Sequence, residues 1–519
     1  MSGARRGIGL AVAAAACLAL CAPAWAGPST PLGHSGRWIT DARGRVVILH
    51  GVNMVYKRPP YHPAATGFGE DDAAFLQRNG FNTVRLGLIY AGVEPAPGAY
   101  DDGYLNQIAA TELLLAKHGI FSQLDFHQDM YNERFQGEGW PDWAVQDDGL
   151  PALPQLGFPA NYLAMPALWR AYDHFWANDP GPGGIGLQER YAAAWGHVAA
   201  RFAGAQHTLG LDLMNEPWPG TPWATCLAAA GCPDFDRNTM GPFYRRVIDR
   251  VRAVEPQKLI WYEPNVLFNF AADTNIPDFG DPAAGFSFHV YCTQGLAPPP
   301  YTGANCETLD QVVLSNADKR AQATGDALLL SEFGATDDLA TIRRNVELAD
   351  RNMVSWQYWH YCECADPTTT GSGVQAIVVD PAQPPTGSNV KQAKLDVLSQ
   401  PYPQLVAGTP STWQFDPATR VFHFSYSTKG PGGKKFARRI KKRSKRALKR
   451  RQTEIFLGRA RYPNGYRASV RGGAITSKPK GGVLKVVACR GRRTVTVTVG
   501  PPGAGVKKKT SCRVRPKRR

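Results

Sequence analysis

Between Val46 and Trp359 the chain alternates, eight times over, between a short apolar run and a longer, often helical connection. The runs are Val46 to Val52, Asn82 to Leu88, Phe121 to Phe126, Leu209 to Met214, Leu259 to Glu263, Phe286 to Val290, Ala327 to Leu330 and Met353 to Trp359. They are too short and too apolar for surface helices and read as strands buried on both faces, as in a parallel sheet. Asp71 to Asn79, Tyr104 to Lys117, Gln188 to Phe202 and Pro242 to Val254 supply helices between them. This alternation predicts an α/β chain, a (β/α)8 TIM barrel, with its site at the C-terminal ends of the strands. The long insertions follow strands three, four and six, at that same face.

Two of the runs stop on a glutamate: Leu213-Met214-Asn215-Glu216-Pro217 and, 116 residues later, Leu330-Ser331-Glu332-Phe333-Gly334. Proline ends the ladder after Glu216 and delivers its carboxylate to the barrel mouth. Two carboxyl groups about 5–5.5 Å apart across a sugar are what a retaining glycosidase uses, one as acid/base and one as nucleophile. Glu216 takes the acid/base role, which calls for a raised pKa, and Glu332 the nucleophile role. Arg85, a charge inside Val84-Arg85-Leu86, must be paired, and Glu332 is its natural partner, so that the cation keeps the nucleophile ionised. Asn215 is placed to meet a sugar 2-hydroxyl. Asp125-Phe126-His127-Gln128-Asp129 ends strand three with His127 and Asp129 on one side, suited to hydrogen-bond sugar hydroxyls. His289 and Tyr291 end strand six, Tyr291 to donate to the nucleophile and His289 to support the site. Trp359 ends strand eight and offers an indole face as a sugar floor, the rival reading being a buried structural tryptophan. Phe135, Trp140 and Trp143 after strand three, with Pro298 to Tyr301 after strand six, are expected to line an apolar groove.

Residues 1–26 read as a secretory signal, with Arg5 and Arg6, the apolar stretch Ile8 to Ala22, and Ala24-Trp25-Ala26 for cleavage. The expectation is a secreted, extracellular enzyme working as a monomer. Eight cysteines remain beyond the signal, an even count that favours disulfides in an exported chain. Cys226–Cys232 and Cys489–Cys512 are the local pairs, while Cys292, Cys306, Cys362 and Cys364 leave three connectivities open. A catalytic domain is expected over 27–402. The short alternating strands Trp413 to Tyr426, Thr453 to Tyr462, Gly465 to Val470, Gly482 to Ala488 and Thr494 to Val499 predict a small C-terminal β-sandwich over 403–506. A basic insert, Lys429 to Arg451, interrupts it with 13 Lys/Arg in 23 residues, and a basic tail, 507–519, follows. The net charge of +16 therefore hides a division: +30 from Lys429 onward, where Glu454 is the one acid, against −14 before it. Such a run is expected to be solvated and to approach an anionic membrane or cell envelope; no specific nucleic acid partner is expected of an exported chain.

Arg85, His127, Asn215-Glu216-Pro217, His289, Tyr291, Glu332 and Trp359 together resemble glycoside hydrolase family 5. Within it, four stretches resemble the endoglycoceramidases: Gly51 to Lys57, Asp125 to Tyr131, Gly139 to Ala144, and Thr453-Glu454-Ile455-Phe456 leading to Ala460-Arg461-Tyr462-Pro463. The resemblance implies Lys57 and Asp129 as further sugar contacts, Glu216 as acid/base and Glu332 as nucleophile. It also implies cleavage, with retention, of the β-glycosidic bond between an oligosaccharide and ceramide in glycosphingolipids, without cofactor or metal. The basic insert and tail lie outside that pattern. The nearest alternative keeps the machinery and changes the aglycone, as in an enzyme of soluble β-glucans. A non-catalytic surface-binding protein is a third reading, disfavoured by the intact pair of glutamates.

Overall fold

The computed structural model describes residues 27–292, 300–301, 303–369, 371, 373–437, 448–478 and 481–512. The expected signal segment, the middle of the basic insert, the end of the tail and part of the expected wall at Pro298 to Tyr301 lie outside the described residues.

Eight parallel strands close into a barrel in chain order: β1 (His50–Met54), β2 (Thr83–Ile89), β3 (Phe121–His127), β4 (Thr208–Asp212), β5 (Ile260–Tyr262), β6 (Ala284–Val290), β7 (Ala327–Phe333) and β8 (Ser355–Tyr358). Each is buried along its whole length, as strands covered on both faces must be. Three of the surrounding helices start where an Asp or Asn side chain satisfies a free backbone N–H. Asp101 caps Asp102–Lys117, Asn305 caps Cys306–Thr324 and Asp338 caps Leu339–Arg351.

The barrel interior is polar toward the mouth and apolar at the floor. Gln357 Nε2 donates to Thr83 Oγ1 (3.0 Å), Gln123 Nε2 to Asp212 Oδ2 (2.9 Å) and Ser287 Oγ to Ser331 Oγ (2.6 Å). Below them Phe121, Leu209, Leu259 and Ala327, at the strand starts, pack on Leu32 and Ile39. Those two belong to the hairpin Leu32–Ser35/Trp38–Asp41, which plugs the floor.

The first barrel strand begins later than the sequence reading places it. Val46–Val47 lies outside the barrel, paired with Tyr402–Val406, and β1 starts at His50. Side-chain alternation explains the break. Val46 and Ile48 fill the sandwich core, while Val47 and Leu49 fill the barrel floor, so one apolar run serves two cores.

The C-terminal region forms two sheets. One has five strands, Thr409–Asp416, Val421–Ser427, Thr494–Gly500, Arg467–Arg471 and Lys509–Thr510. The other has seven, and three of them (Leu32–Ser35, Trp38–Asp41 and Val46–Val47) come from the start of the chain. Barrel and sandwich meet closely at Gly80, where a Cβ would come within 2.4 Å of the Phe456 ring and φ is 87°. Among the described residues four disulfides form: Cys226–Cys232 and Cys489–Cys512 as expected, and Cys292–Cys306 and Cys362–Cys364 from the open set.

Candidate active site

The ten residues singled out in the sequence all come together at the strand C-terminal ends, in two adjoining clusters. Arg85, pointing up the barrel from β2, organises the first. Its guanidinium reaches Glu332 Oε1 at 2.5 Å, Glu263 Oε1 at 2.8 Å, Asp125 Oδ1 at 2.9 Å, Asp212 Oδ2 at 3.0 Å and Asn215 Oδ1 at 3.0 Å. The expected Arg85–Glu332 pair is present, but that cation is shared among four carboxylates. Burial therefore prevails at Glu332 and pushes it up to about 7, against the pull of His289 and Arg85. The sequence reading gives Arg85 one carboxylate partner; the structure adds Asp125, Asp212 and Glu263 to it.

His289 joins the two glutamates. Its Nδ1 lies 2.7 Å from Glu216 Oε1 and 3.6 Å from Glu332 Oε2, and its Nε2 lies 3.2 Å from Glu263 Oε1. Burial works to lower its pKa, but Glu263, Glu332 and Glu216 outweigh that and hold it well above the ordinary imidazole range. Tyr291 donates to Glu332 Oε2 at 2.9 Å, as its position at the end of β6 led one to expect. Ligating atoms of Glu216, His289 and Glu332 all lie within 4.8 Å of one another.

Glu216 itself has φ 41°, a left-handed conformation rare for a residue with a side chain. Its surroundings hold it there. Its N–H donates to Glu263 Oε2 (2.9 Å), its carbonyl accepts from Gln128 Nε2 (3.1 Å), and its Oε1 accepts from Asn269 Nδ2 (2.6 Å). Asn215 is held between Arg85 and the Gln128 carbonyl, to which its Nδ2 donates at 2.9 Å.

Lys57, just beyond β1, organises the second cluster. Its Nζ lies 2.6 Å from Asp129 Oδ2, 2.6 Å from Thr368 Oγ1, 3.3 Å from Asp366 Oδ1 and 3.4 Å from Glu138 Oε1, and 4.6 Å from the Trp359 ring centroid. His127 stacks on the same Trp359 ring, with centroids 5.1 Å apart at 18°, and shares a 2.8 Å contact with Asp125. Burial, then Lys57 and Arg85, hold His127 well below its ordinary range, so it is neutral. Asp125 thus links the clusters, touching Arg85 with one oxygen and His127 with the other.

The family model "Cellulase (glycosyl hydrolase family 5)" matches residues 40–364, and the "Glycoside hydrolase family 5 C-terminal domain" matches 400–499. The chain belongs to glycoside hydrolase family 5. It is a glycoside hydrolase. Endoglycoceramidase I of Rhodococcus hoagii is 32% identical over 488 residues, which cover 92% of this chain and 89% of the relative. Endoglycoceramidase of Hydra vulgaris is 27% identical over 83% of this chain and 81% of its own length. Among solved structures, endo-glycoceramidase II from Rhodococcus sp. in complex with ganglioside GM3 superposes with a TM-score of 0.70 at 26% identity, over 89% of this chain and 99% of that one. The same enzyme captured as a lactosyl-enzyme intermediate gives a TM-score of 0.70 at 27% identity, over 89% of this chain and 98% of that one.

In this family 5 chain two expected groove residues are core instead. Phe135 is wholly buried, and Trp140 lies flat against Tyr131 (4.3 Å, 1°) with Phe175 and Tyr191 around it. Trp143 is half-buried, its indole N–H given to the Glu94 carbonyl. The aromatic run after β3 builds the loop's own core, since a long insertion needs one to hold its shape. The half-buried Trp223 instead stacks on Trp218, next to the acid/base loop.

Sequence reasoning passed over Glu263, Asp125, Asp212, Asn269, Glu138 and Asp366. Two of these had a usable signal. Tyr262-Glu263-Pro264 is a second strand ending in Glu-Pro, and Asp212 is a charge inside an apolar strand, as Arg85 is.

Among the described residues, three groups have metal-ligand spacing. In His127/Asp129/Glu138 the Lys57 ammonium already pairs with both carboxylates; Glu216/His289/Glu332 is the carboxylate pair itself; and the sulfurs of His360/Cys362/Cys364 are joined as a disulfide.

Lys57→Met is expected to cost about 3–5 kcal/mol in urea unfolding, because it strands Asp129, Glu138 and Asp366 in a buried site without their cation. Burial works to raise Asp366, but Lys57, Gln375 and the Thr368 amide bring it down to about 2. A depressed carboxylate contributes stability above its unfolded pKa of about 3.9 and loses it as pH falls through the folded value. The gap between parent and variant should therefore narrow as pH is lowered from about 4 toward about 2.

Proposed function

We propose that this glycoside hydrolase is a secreted retaining endo-β-glycosidase that releases the intact oligosaccharide from ceramide in glycosphingolipids. The observation that carries the reading is the bridged pair: oxygens of Glu216 and Glu332 within 4.8 Å, both touching His289. That spacing suits direct attack and leaves no room for the water that inverting enzymes place between carboxyl groups about 6.5–9.5 Å apart. Glu332 attacks the anomeric carbon as Glu216 gives its proton to the departing ceramide oxygen, leaving a glycosyl ester on Glu332. Glu216 then takes a proton from water, whose oxygen displaces Glu332 and restores the β configuration. Arg85 and Tyr291 each bind one oxygen of Glu332, which favours a fixed line of attack.

The lipid half of the reading is supported by the endoglycoceramidase relatives and by the rim of the mouth. The insertion after β3 exposes Leu153 and Leu156, 59% each, beside half-buried Phe158 and Leu163. An apolar lip on the catalytic face suits a ceramide or the lipid surface that carries it. Four disulfides support an oxidising compartment, and export by the signal segment would leave Gly27 at the N-terminus of protein recovered from culture medium.

The test is incubation with ganglioside GM3 in mild detergent beside a soluble β-glucan, products read by mass spectrometry. Free ceramide with the intact oligosaccharide is expected. Stepwise loss of terminal sugars, or turnover of the glucan alone, would overturn the reading.

A further inference from the structure

Two hydrogen-bond donors converge on a single oxygen of the Glu216 carboxyl. Asn269 Nδ2 donates to Oε1 at 2.6 Å, and His289 Nδ1 lies 2.7 Å from the same atom. Glu263, Glu332 and Glu216 hold His289 above the imidazole range, so its Nδ1 carries a proton and donates. Both partners are buried, His289 at 1% exposure and Asn269 at 5%.

A fastened turn carries Asn269. It belongs to the short helical turn Val266–Phe270, which follows β5 and the corner at Glu263-Pro264. Asn265 caps that turn, accepting from the Leu267 N–H at 3.1 Å while its Nδ2 donates to buried Asp236 at 3.1 Å. Leu267 and Phe268 anchor it in the core, the Phe268 ring lying 5.6 Å from that of Phe286 on β6. The turn is also tied to the chain that follows Glu216. The Val266 N–H donates to the Pro217 carbonyl at 3.0 Å, and the Asp273 N–H to the Ala229 carbonyl at 2.9 Å. The connections after β4 and β5 are thus bonded to each other on both sides of Asn269, which fixes its amide against Glu216.

A protonated carboxyl has one carbonyl oxygen, with two lone pairs, and one hydroxyl oxygen. With both lone pairs of Oε1 taken, the proton has one place left, Oε2. We propose that Asn269 is a positioning residue for the acid/base: with His289 it holds Oε1 as the acceptor, and so directs the transferable proton onto Oε2. In the first step the Oε2–H bond breaks as its proton passes to the glycosidic oxygen. The bond from that oxygen to the anomeric carbon breaks in turn, and its electron pair stays with the oxygen. In the second step Oε2 takes a proton from the attacking water. Oε1 keeps its two donors throughout, so the carboxyl need not rotate between its acid and base roles.

His289 alone would hold Oε1 less well. Its Nδ1 also lies 3.6 Å from Glu332 Oε2, the oxygen of a group whose charge changes during the reaction. Asn269 is neutral and bonds Glu216, so its hold on Oε1 does not depend on the state of Glu332. The inference rests on Glu216 being the acid/base and deepens that reading.

The test measures kcat/KM of the full-length chain on two β-lactosides. One carries a dinitrophenyl group, which leaves without a proton; the other carries an alkyl group, which leaves only with one. Asn269→Ala is expected to lose at least about thirtyfold more on the alkyl substrate than on the dinitrophenyl one. Asn269→Asp supplies a pH readout. Its side chain donates to Oε1 only while protonated, so its rate on the alkyl lactoside, relative to the parent, should climb as pH falls through the carboxylate range. The same ratio for Asn269→Ala should stay level. Equal losses on the two substrates in protein with the parent's circular dichroism, or no recovery of Asn269→Asp in acid, would overturn the role of Asn269. Glu216→Ala, measured alongside, keeps the two readings apart. If it shows the leaving-group dependence and Asn269→Ala does not, the Asn269 proposal alone falls. If neither shows it, the acid/base reading of Glu216 falls as well.

Discussion

Glu332→Gln is expected to lower turnover of an aryl β-glycoside by roughly four to six orders of magnitude, the scale seen when a nucleophile is removed from an otherwise intact site. The barrel should stay folded. Gln fills the same volume and keeps one oxygen to accept from Arg85 or Tyr291. It also removes one of five acids, Asp125, Asp212, Glu216, Glu263 and Glu332, that crowd around Arg85 and His289. Its midpoint in urea should therefore equal or exceed the parent's. The partner variant, Glu216→Ala, separates the two roles. An activated aryl leaving group departs without an acid, so this variant should still form the glycosyl ester and stall there. Added azide should then rescue it and give the β-glycosyl azide. An α-azide, or rescue of Glu332→Gln with the same β product, would reverse or dissolve the assignment.

What the sequence made readable follows a physical rule. Arg85, Asn215, Glu216, His289, Tyr291, Glu332 and Trp359 are polar or aromatic residues at the ends of apolar runs, or within one. Such residues must be paired or functional, and the barrel fold says which end faces the substrate. The rule applied equally to Asp212 and Glu263, and it would have returned the rest of the carboxylate cluster around Arg85. Asn269, Glu138 and Asp366 carried no such mark. They sit in insertions and loops whose course depends on packing, and each meets its partner across long sequence separations, 53 residues for Asn269 and Glu216. The same blindness hid the strand break at Val46–Val47, because alternation toward two different cores looks like one continuous strand. The aromatics Phe135 and Trp140 erred in the other direction. Their type fits a ligand groove and a loop core equally well, and burial decides.

Glu263→Gln tests whether the missed residues matter as much as the read ones. One carboxylate there receives Arg85 and lies against His289 with Oε1, and takes the N–H of the strained Glu216 with Oε2. An amide at this position can accept at one atom, so one of those arms is lost. We expect kcat/KM to fall about a hundredfold with KM little changed, the cost of a small misplacement at the reacting groups. The pH profile gives the finer reading. Glu263 is the first of the carboxylates that hold His289 above the imidazole range; with it gone, the imidazolium loses its proton at lower pH. If His289 works as a double donor between Glu216 and Glu263, the alkaline limb of kcat/KM must move to lower pH. Asp125→Asn is the control with the opposite expectation. Burial lifts Asp125 well above the carboxylate range despite Arg85, which favours its protonated form. An amide reproduces that neutral acid, keeping an oxygen for Arg85 and a donor toward His127. Its rate should stay within about threefold of the parent, because a buried neutral group replaced by a neutral isostere leaves no partner unsatisfied. Equal damage in the two variants would mean that Asp125 is ionised. The negative charge paired with Arg85 would then be divided differently, and Glu263 would lose its special place as the group that fixes both His289 and the acid/base.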